Sequence, residues 1–381
     1  MVTIKKVETA KDKRAFVNFP LKLYRKNEHY APLFYMDEKA LLSKETNIYS
    51  DYSESEFYLA LDEKGKVVGR VGAIINYADI EKTGVKSVRF TRLDAIDSRE
   101  VFAALMNAVE EYAKAHGIVR VHGPLGYNDM DKEGLLIEGF EYDETYGGVY
   151  NYPYYQEHIE ALGYGKAFDW TERMLFVGKK VDERYVRMAD IVEKRYGFHE
   201  LIQNDMSTGK LLDMYVDDIF HLLDETYKEL HGTVPYTENA KKSMVAGLKI
   251  IVKARYVSCI ADKDGKLVAF GLMLPAIWHA LHKSKGKLFP FGIFHFLPLL
   301  FCKPKEMEMA LIGVYPEYRN SGVHAMMVAR LWQNIIDDGI EVLESNANLE
   351  DNVEINNFMA KFPQKQHKRR RCYLKELNER V

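Results

Sequence analysis

A chain of 381 residues is longer than one hydrophobic core of ordinary domain size serves, so two cores are expected. Its composition, 47% hydrophobic, 29% charged and 12% aromatic, excludes extended disorder, and a net charge of −3 supplies no global attraction to nucleic acid or to an anionic membrane. Cys259, Cys302 and Cys372 are scattered and lack a Cys-x-x-Cys spacing, which predicts neither a zinc site nor a disulfide framework.

The start, MVTIKKVETAKDKRAF, has no apolar core of signal-peptide length, and a cytoplasmic protein is expected. A helical pattern over Lys11–Asn27 precedes Phe57–Ile75, two apolar runs joined by a charged turn with Gly65, the pattern of a β-hairpin. A strand is predicted at Ser87–Asp94. The next helix runs from an N-cap at Ser98 to His116, with Val101, Phe102, Leu105, Val109 and Tyr112 on one face and Gly117 as terminator. A strand at Val119–His122, a Gly123-Pro124 turn, a short helix at Tyr154–Leu162 and a strand-like run at Arg173–Val177 complete the first half. The tyrosines at 150, 152, 154 and 155 read as an aromatic core or as the wall of a cleft between halves.

Beyond Lys180–Asp182 the same order returns. Helices at Asp182–Arg195, Leu211–Leu230 and Glu238–Val252 lead to a hairpin at Tyr256–Pro275. A strand at Met307–Tyr315, a helix at Gly322–Asp338, a strand at Glu341–Ser345 and a helix at Val353–Phe362 follow. This duplication predicts a mixed α/β chain of two domains, 1–180 and 181–381, each a mixed twisted sheet flanked by helices. Leu288–Cys302 (LFPFGIFHFLPLLFC) is too short and too proline-broken to span a bilayer. A buried strand or loop over the core is the favoured reading, ahead of an acyl-chain tunnel or a membrane-contact lip. The basic run Lys365–Arg371 reads as the solvated face of the last strand, with a phosphate contact as the alternative. Histidines such as His279, His282, His295 and His324 have no metal-ligand spacing, and no metal is expected.

Leu311–Ala325 (LIGVYPEYRNSGVHA) carries the chemistry. A strand ends in a glycine-containing loop that opens a helix, and the unpaired amides and positive dipole end of such a helix suit an anion. The segment resembles the acyl-CoA-binding motif of the GNAT N-acyltransferases: Val314, Pro316, Arg319 and Gly322 match, and His324 stands where Gly or Ala is usual. The resemblance implies that Gly313, Val314, Arg319, Asn320, Ser321, Gly322, Val323, His324 and Ala325 hold acetyl-CoA or another acyl-CoA. Asn352 matches the asparagine that begins the family's closing helix, and Met359 replaces the tyrosine that commonly protonates the departing thiolate. Gly123-Pro124, Glu133–Phe140, Tyr150–Tyr155, Ala161–Gly163 and Gly286–Pro290 are similar, over nearly the whole length, to a bacterial group of tandem GNAT-like proteins, the YghO-like group.

The expectation is an acyl-CoA-dependent N-acyltransferase acting on a small-molecule amine, with neither nucleic acid nor a membrane as partner. The alternative is a non-catalytic acyl-CoA-binding or scaffold protein, a degenerate GNAT pair. A likeness to the tandem Fem-type aminoacyl transferases is disfavoured by the pyrophosphate loop. The equivalent loop of the first half, Leu93–Phe102, has no glycine and carries Asp94, Asp97 and Glu100, so the cofactor is expected in the C-terminal half alone. Glu308, just ahead of the loop, is the candidate general base, with a surface carboxylate as the alternative. Tyr373, on the final strand, is the candidate replacement for the missing tyrosine, with a core-packing role as the alternative.

Overall fold

The computed structural model describes residues 1–230 and 232–377. Its strands are β1 (Thr3–Lys6), β2 (Ser53–Leu61), β3 (Val67–Asn76), β4 (Val88–Ala95), β5 (Arg120–Gly123), β6 (Leu135–Glu138) and β7 (Gly165–Phe176) in the first half. In the second they are β8 (His199–Glu200), β9 (Val257–Ala261), β10 (Leu267–Pro275), β11 (Met307–Val314), β12 (Val342–Glu344), β13 (Asn348–Leu349) and β14 (Gln364–Glu376). All join one sheet, in the order β1-β2-β3-β4-β5-β14-β7-β12-β11-β10-β9-β8, with β13 on β7 and β6 on β14.

The two hairpins, β2–β3 and β9–β10, lie where periodicity expects them, since each turn needs only its own local residues. Helices cover both faces of the sheet. Arg99–Ala115 is capped by the Ser98 hydroxyl and buries Val101, Phe102, Leu105 and Val109. In the second half Thr208–Tyr227 packs on one face, with Leu222 and Leu223 against Phe270 and Leu272. His324–Asp337 packs on the other through Leu331 and Ile335.

The halves do not part at residue 180. The last strand, β14, leaves the C-terminal half and lies between β5 and β7, so Tyr373 pairs with Gly123 and Arg370 with Trp170. Conversely β7 pairs with β12, Leu343 opposite Leu175. A cut between 180 and 181 therefore severs the β7–β12 ladder and takes β14 from the N-terminal sheet. The mixed sheets expected of the two halves are thus joined edge to edge into one.

Central position also explains the basic run. Lys368 and Arg370 are buried, with Arg370 held by Glu144 and Glu172 and Lys368 by Glu172 (3.2 Å) and Glu344 (2.8 Å). Arg369 and Arg371 pair with Asp169. From His367 to Arg371 the run is thus an ion-pair network rather than a solvated face, each of its cations matched because an unpaired buried charge is costly, while Lys365 and Gln366 are exposed as expected.

Candidate functional site

In both halves the sheet splits where a parallel pair of strands diverges. β11 pairs with β12 only at Met307–Leu343 and Glu308–Glu344. The register of β11 on β10 slips between Leu311 and Met309, leaving Ala310 as a bulge that bends the strand away. β4 pairs with β5 only at Val88–Val121 and Arg89–His122 and slips likewise between Thr91 and Asp94, where Arg92 takes a φ of 47°.

Glu308 stands at the fork of the C-terminal split. It is 2% exposed, which settles the face that strand alternation leaves open. Its Oε2 accepts the Tyr146 N–H at 2.9 Å, a contact from the other half of the chain. Its Oε1 has no hydrogen-bond partner among the described residues. Burial pushes the carboxyl up to about 8; the Tyr146 N–H and the cations Lys368 and Lys132 oppose this, and Glu344 adds to it. The Lys132 ammonium sits 4.6 Å from the centre of the Tyr146 ring, and burial brings it down to about 8 against the pull of Asp131, Glu144 and Glu308. Burial thus moves a carboxyl up and an ammonium down, and Tyr146 touches both, through its N–H and its ring.

Lys132 also lines a cavity of about 60 Å³, room for a few waters, whose walls include Leu21, Leu33, Arg92, Tyr150 and Lys285. The aromatic cluster contributes only Tyr150 to it. Tyr155 is fully buried among Tyr24, Phe102 and Tyr154, as a core residue.

Arg319 and Asn320 are exposed in the loop Pro316–Ser321, and Gly322 takes a φ of +86° before the helix His324–Asp337. A Cβ on Gly322 would lie 3.1 Å from Val192, so the glycine also lets the helix Glu183–Tyr196 pack against the loop. Arg319 pairs with the exposed Glu354 at 3.0 Å, a surface contact that an incoming anion can displace. Val323 N–H bonds to the Ser321 hydroxyl, and the Ala325 N–H to Gly322 O. His324 is half-buried beside Phe358, and burial lowers its pKa. The exposed Arg319 guanidinium suits an anionic group, whereas the Val323 and Ala325 amides are taken up within the loop. Gly313 and Val314 lie upstream on β11, and Asn352 caps the helix Val353–Met359 by accepting the Ile355 N–H at 3.1 Å.

The adjoining strand edge is occupied by side chains. Asn346 donates to the Ala310 carbonyl at 2.7 Å, the Tyr227 hydroxyl bonds both the carbonyl (3.0 Å) and the N–H (3.3 Å) of Ile312, and Arg319 Nε lies 3.4 Å from Val314 O. Lys82 of the first half binds the carbonyls of Leu230 and Thr233, just beyond Tyr227.

Tyr373 lies elsewhere. Its ring packs in the N-terminal core and its hydroxyl donates to Glu160 at 3.0 Å, with the pKa raised by burial. Lys365 is level with Met174, Glu344 and Glu308 across the sheet, and Tyr373 is eight residues further along, roughly 25 Å at strand rise. It is not positioned to protonate a thiolate at the C-terminal loop. Met359 is a buried core residue. In the first half Asp94 is buried against Arg70 (2.7 Å), Asp97 pairs with His158 (2.7 Å), and Glu100 accepts the Val2 N–H. Sequence reading missed Lys132, Glu144, Glu172 and Glu344, because no local pattern says that β7, β12 and β14 converge. Glu172, Glu344 and His367 place donor atoms within 4.8 Å of one another, but the Lys368 ammonium already bridges the two carboxylates and Arg370 also pairs with Glu172.

No family model matches the chain. It is 29% identical to Protein YghO of Escherichia coli over 375 residues, 96% of this chain and 93% of the relative. It is 26% identical to a bacterial ceramide synthase of Caulobacter vibrioides over 333 residues, 83% and 81% of the two chains. Among solved structures, a tandem GNAT protein from the clavulanic acid biosynthesis pathway aligns over all of both chains with a TM-score of 0.57 at 12% identity, a likeness of fold.

Proposed function

We propose that this chain, which belongs to the tandem GNAT-like acyltransferase family, is an acyl-CoA-dependent N-acyltransferase with its reaction centre at Glu308. The observation that carries the reading is a buried carboxyl with one unpartnered oxygen among the described residues, at the fork of the split sheet and on the strand that leads into the glycine loop. Buried, unsatisfied carboxyls with a raised pKa are enriched where proteins do chemistry, and Glu308 is the one on the strand that feeds the glycine loop. Arg319 and the backbone of Asn320–Ala325 would hold the coenzyme's phosphates. When bound, the thioester supplies an activated acyl carbon.

The residues of the chain then have defined tasks. Glu308, once ionised, accepts the proton of an attacking amine, and its carboxyl near pH 8 is matched to an ammonium of similar acidity. Lys132 is a cation whose proton is easily released, so it can supply one to a leaving group. The acceptor we favour is the amine of an amphiphile. Ceramide is an N-acylated long-chain amino alcohol, so the name of the Caulobacter relative describes amide formation on such an amine, and Leu21, Leu33 and Tyr150 give the cavity apolar walls.

A second reading rests on Tyr227, which fills the β11 edge at Ile312 and suits a non-catalytic acyl-CoA-binding or scaffold pair. Turnover decides between them: acetyl-CoA and long-chain acyl-CoA are each offered with polyamines, amino sugars and long-chain amino alcohols, and thiol release is followed. Amine-dependent release that is lost in Glu308→Gln supports catalysis. Binding of acyl-CoA without release under any amine supports the second reading.

A further inference from the structure

The segment between β10 and β11 was expected to be buried, and much of it is in water. Pro290, Gly292 and Pro298 prevent a strand, and the chain instead forms two short helical turns, Gly292–His295 and Leu297–Phe301. Phe296 is fully buried and stacks on Phe34 at 5.7 Å, while Leu288 and Leu299 pack on the C-terminal core. These anchors leave the other side chains outside: Phe289 is 79% exposed, Phe291 74%, Phe294 60% and Phe301 81%. The display is held by backbone bonds from Ile293 to Leu288, Phe296 to Ile293 and Cys302 to Pro298. Four phenylalanines presented together on a fixed platform form an apolar surface of the kind that marks a contact site.

The charge around it selects the occupant. From Gly265 to Lys305 the chain has no Asp or Glu, although acidic residues outnumber basic ones overall, 56 to 53. Lys283, Lys285, Lys287 and Lys305 are exposed, and no described carboxylate pairs with them. A second copy of the chain docked by two-fold symmetry would bring these lysine rims together, and protein interfaces are poor in lysine. Apolar tips flanked along the chain by exposed lysines match an anionic bilayer surface, where the aromatic rings enter the acyl boundary and the ammonium groups meet the phosphates. No described helix is long and apolar enough to cross a membrane, so the contact would be peripheral.

We infer that Phe289, Phe291, Phe294 and Phe301, with their lysine rim, dock the protein onto anionic phospholipid. This departs from the expectation of no membrane partner. The docking rests on exposure and charge alone, whatever reaction the fork performs. It has a consequence for the cavity: Gly286 O accepts the Tyr35 N–H, and Lys285 and Leu33 both line the cavity that reaches Lys132. The docked edge therefore sets these two walls of the cavity on the side of the chain that faces the bilayer.

Flotation of the full chain with vesicles of equal parts phosphatidylglycerol and phosphatidylcholine tests this, with pure phosphatidylcholine vesicles as comparison. The protein should float with the mixed vesicles and less with the neutral ones. Phe289→Ser and Phe301→Ser should each lower partitioning by about tenfold, and Lys283→Gln with Lys285→Gln should abolish the preference for phosphatidylglycerol. Phe291→Trp should shift its emission to the blue on mixed vesicles. The sites are exposed, so unchanged circular dichroism confirms that the variants fold. Wild-type protein that stays in the soluble fraction overturns the inference, as do serine variants that float like wild type. A dimer by light scattering that Phe289→Ser converts to monomer, without flotation, overturns it too and assigns the surface to a second copy.

Discussion

Glu308 on β11 accepts a hydrogen bond from the backbone N–H of Tyr146, its one partner among the described residues, so each half of the chain contributes to the environment of this carboxyl. Held at about 8, it is mostly protonated at neutral pH and becomes a base above that. Turnover should therefore rise as pH approaches about 8 and fall again above it as Lys132 loses its proton, and Glu308→Gln should remove the rising limb while lowering kcat by roughly 10²–10⁴. Acyl-CoA affinity should stay the same by calorimetry. A glutamine variant with wild-type kcat and pH profile takes Glu308 out of the reaction.

The same group makes a stability prediction. Its folded pKa is raised above the ordinary glutamate value, so between about 4.5 and 8 the folded state binds more protons than the unfolded state. Stability contributed by the neutral carboxyl is complete at low pH and is lost as pH rises through that window. Glu308→Gln, which cannot ionise, should melt at a higher temperature than wild type at pH 9, and the gap should close near pH 4.5. Melting curves at the two pH values check this independently of any substrate.

Arg319 is exposed and its partner Glu354 is too, so Arg319→Ala should leave melting nearly unchanged. If the loop holds phosphates, acyl-CoA affinity should fall about tenfold and become less sensitive to salt. Dephospho- and full-length coenzyme compared by calorimetry locate the contact. Equal affinity of variant and wild type means the phosphates lie elsewhere.

The exchange of strands predicts that the halves cannot be studied apart. A fragment of residues 1–180 loses β14 from beside β5, and with it Arg370, leaving Glu144 and Glu172 without their main partner. It should be insoluble or unfolded alone and should recover on co-expression with 181–381. Arg370→Leu in the full chain should cost about 3–5 kcal/mol, because it leaves buried carboxylates unpaired. Denaturant unfolding measures both.

These cases mark what was legible in the sequence. Hairpins, helices and the Arg319–Ala325 loop could be read because their signals are local: a turn glycine, a Ser98 cap, a 3.6-residue period. The pairing of β14 with β5 could not, since residues some 250 apart in sequence leave no mutual trace in one chain. Two site readings depended on it. Tyr373 follows its strand into the N-terminal core, and Lys368 and Arg370 turn inward onto carboxylates. The phenylalanines of 288–302 misled for another reason: apolar composition alone does not say whether an apolar side chain faces a core or a partner.

The remaining prediction concerns Tyr227, whose hydroxyl satisfies both backbone groups of Ile312 on the open side of β11. A ligand that runs along that edge must displace it. The hydroxyl lies on the last residue of the helix Thr208–Tyr227, and Lys82 grips the carbonyls of Leu230 and Thr233 beyond it, so the gate is tied to the N-terminal half. Replacing Tyr227 by Phe removes the competing hydrogen bonds and keeps the ring. The free protein then has an unpartnered N–H and carbonyl, at a cost of about 1 kcal/mol, which a bound acyl-CoA can satisfy. Tyr227→Phe should melt a few degrees lower when free yet bind acyl-CoA about five- to tenfold more tightly. Lys82→Met, which loosens the turn without touching the edge, should shift affinity in the same direction by less. If Tyr227→Phe lowers the melting temperature and leaves affinity unchanged, the tyrosine is a structural brace and acyl-CoA does not use this edge.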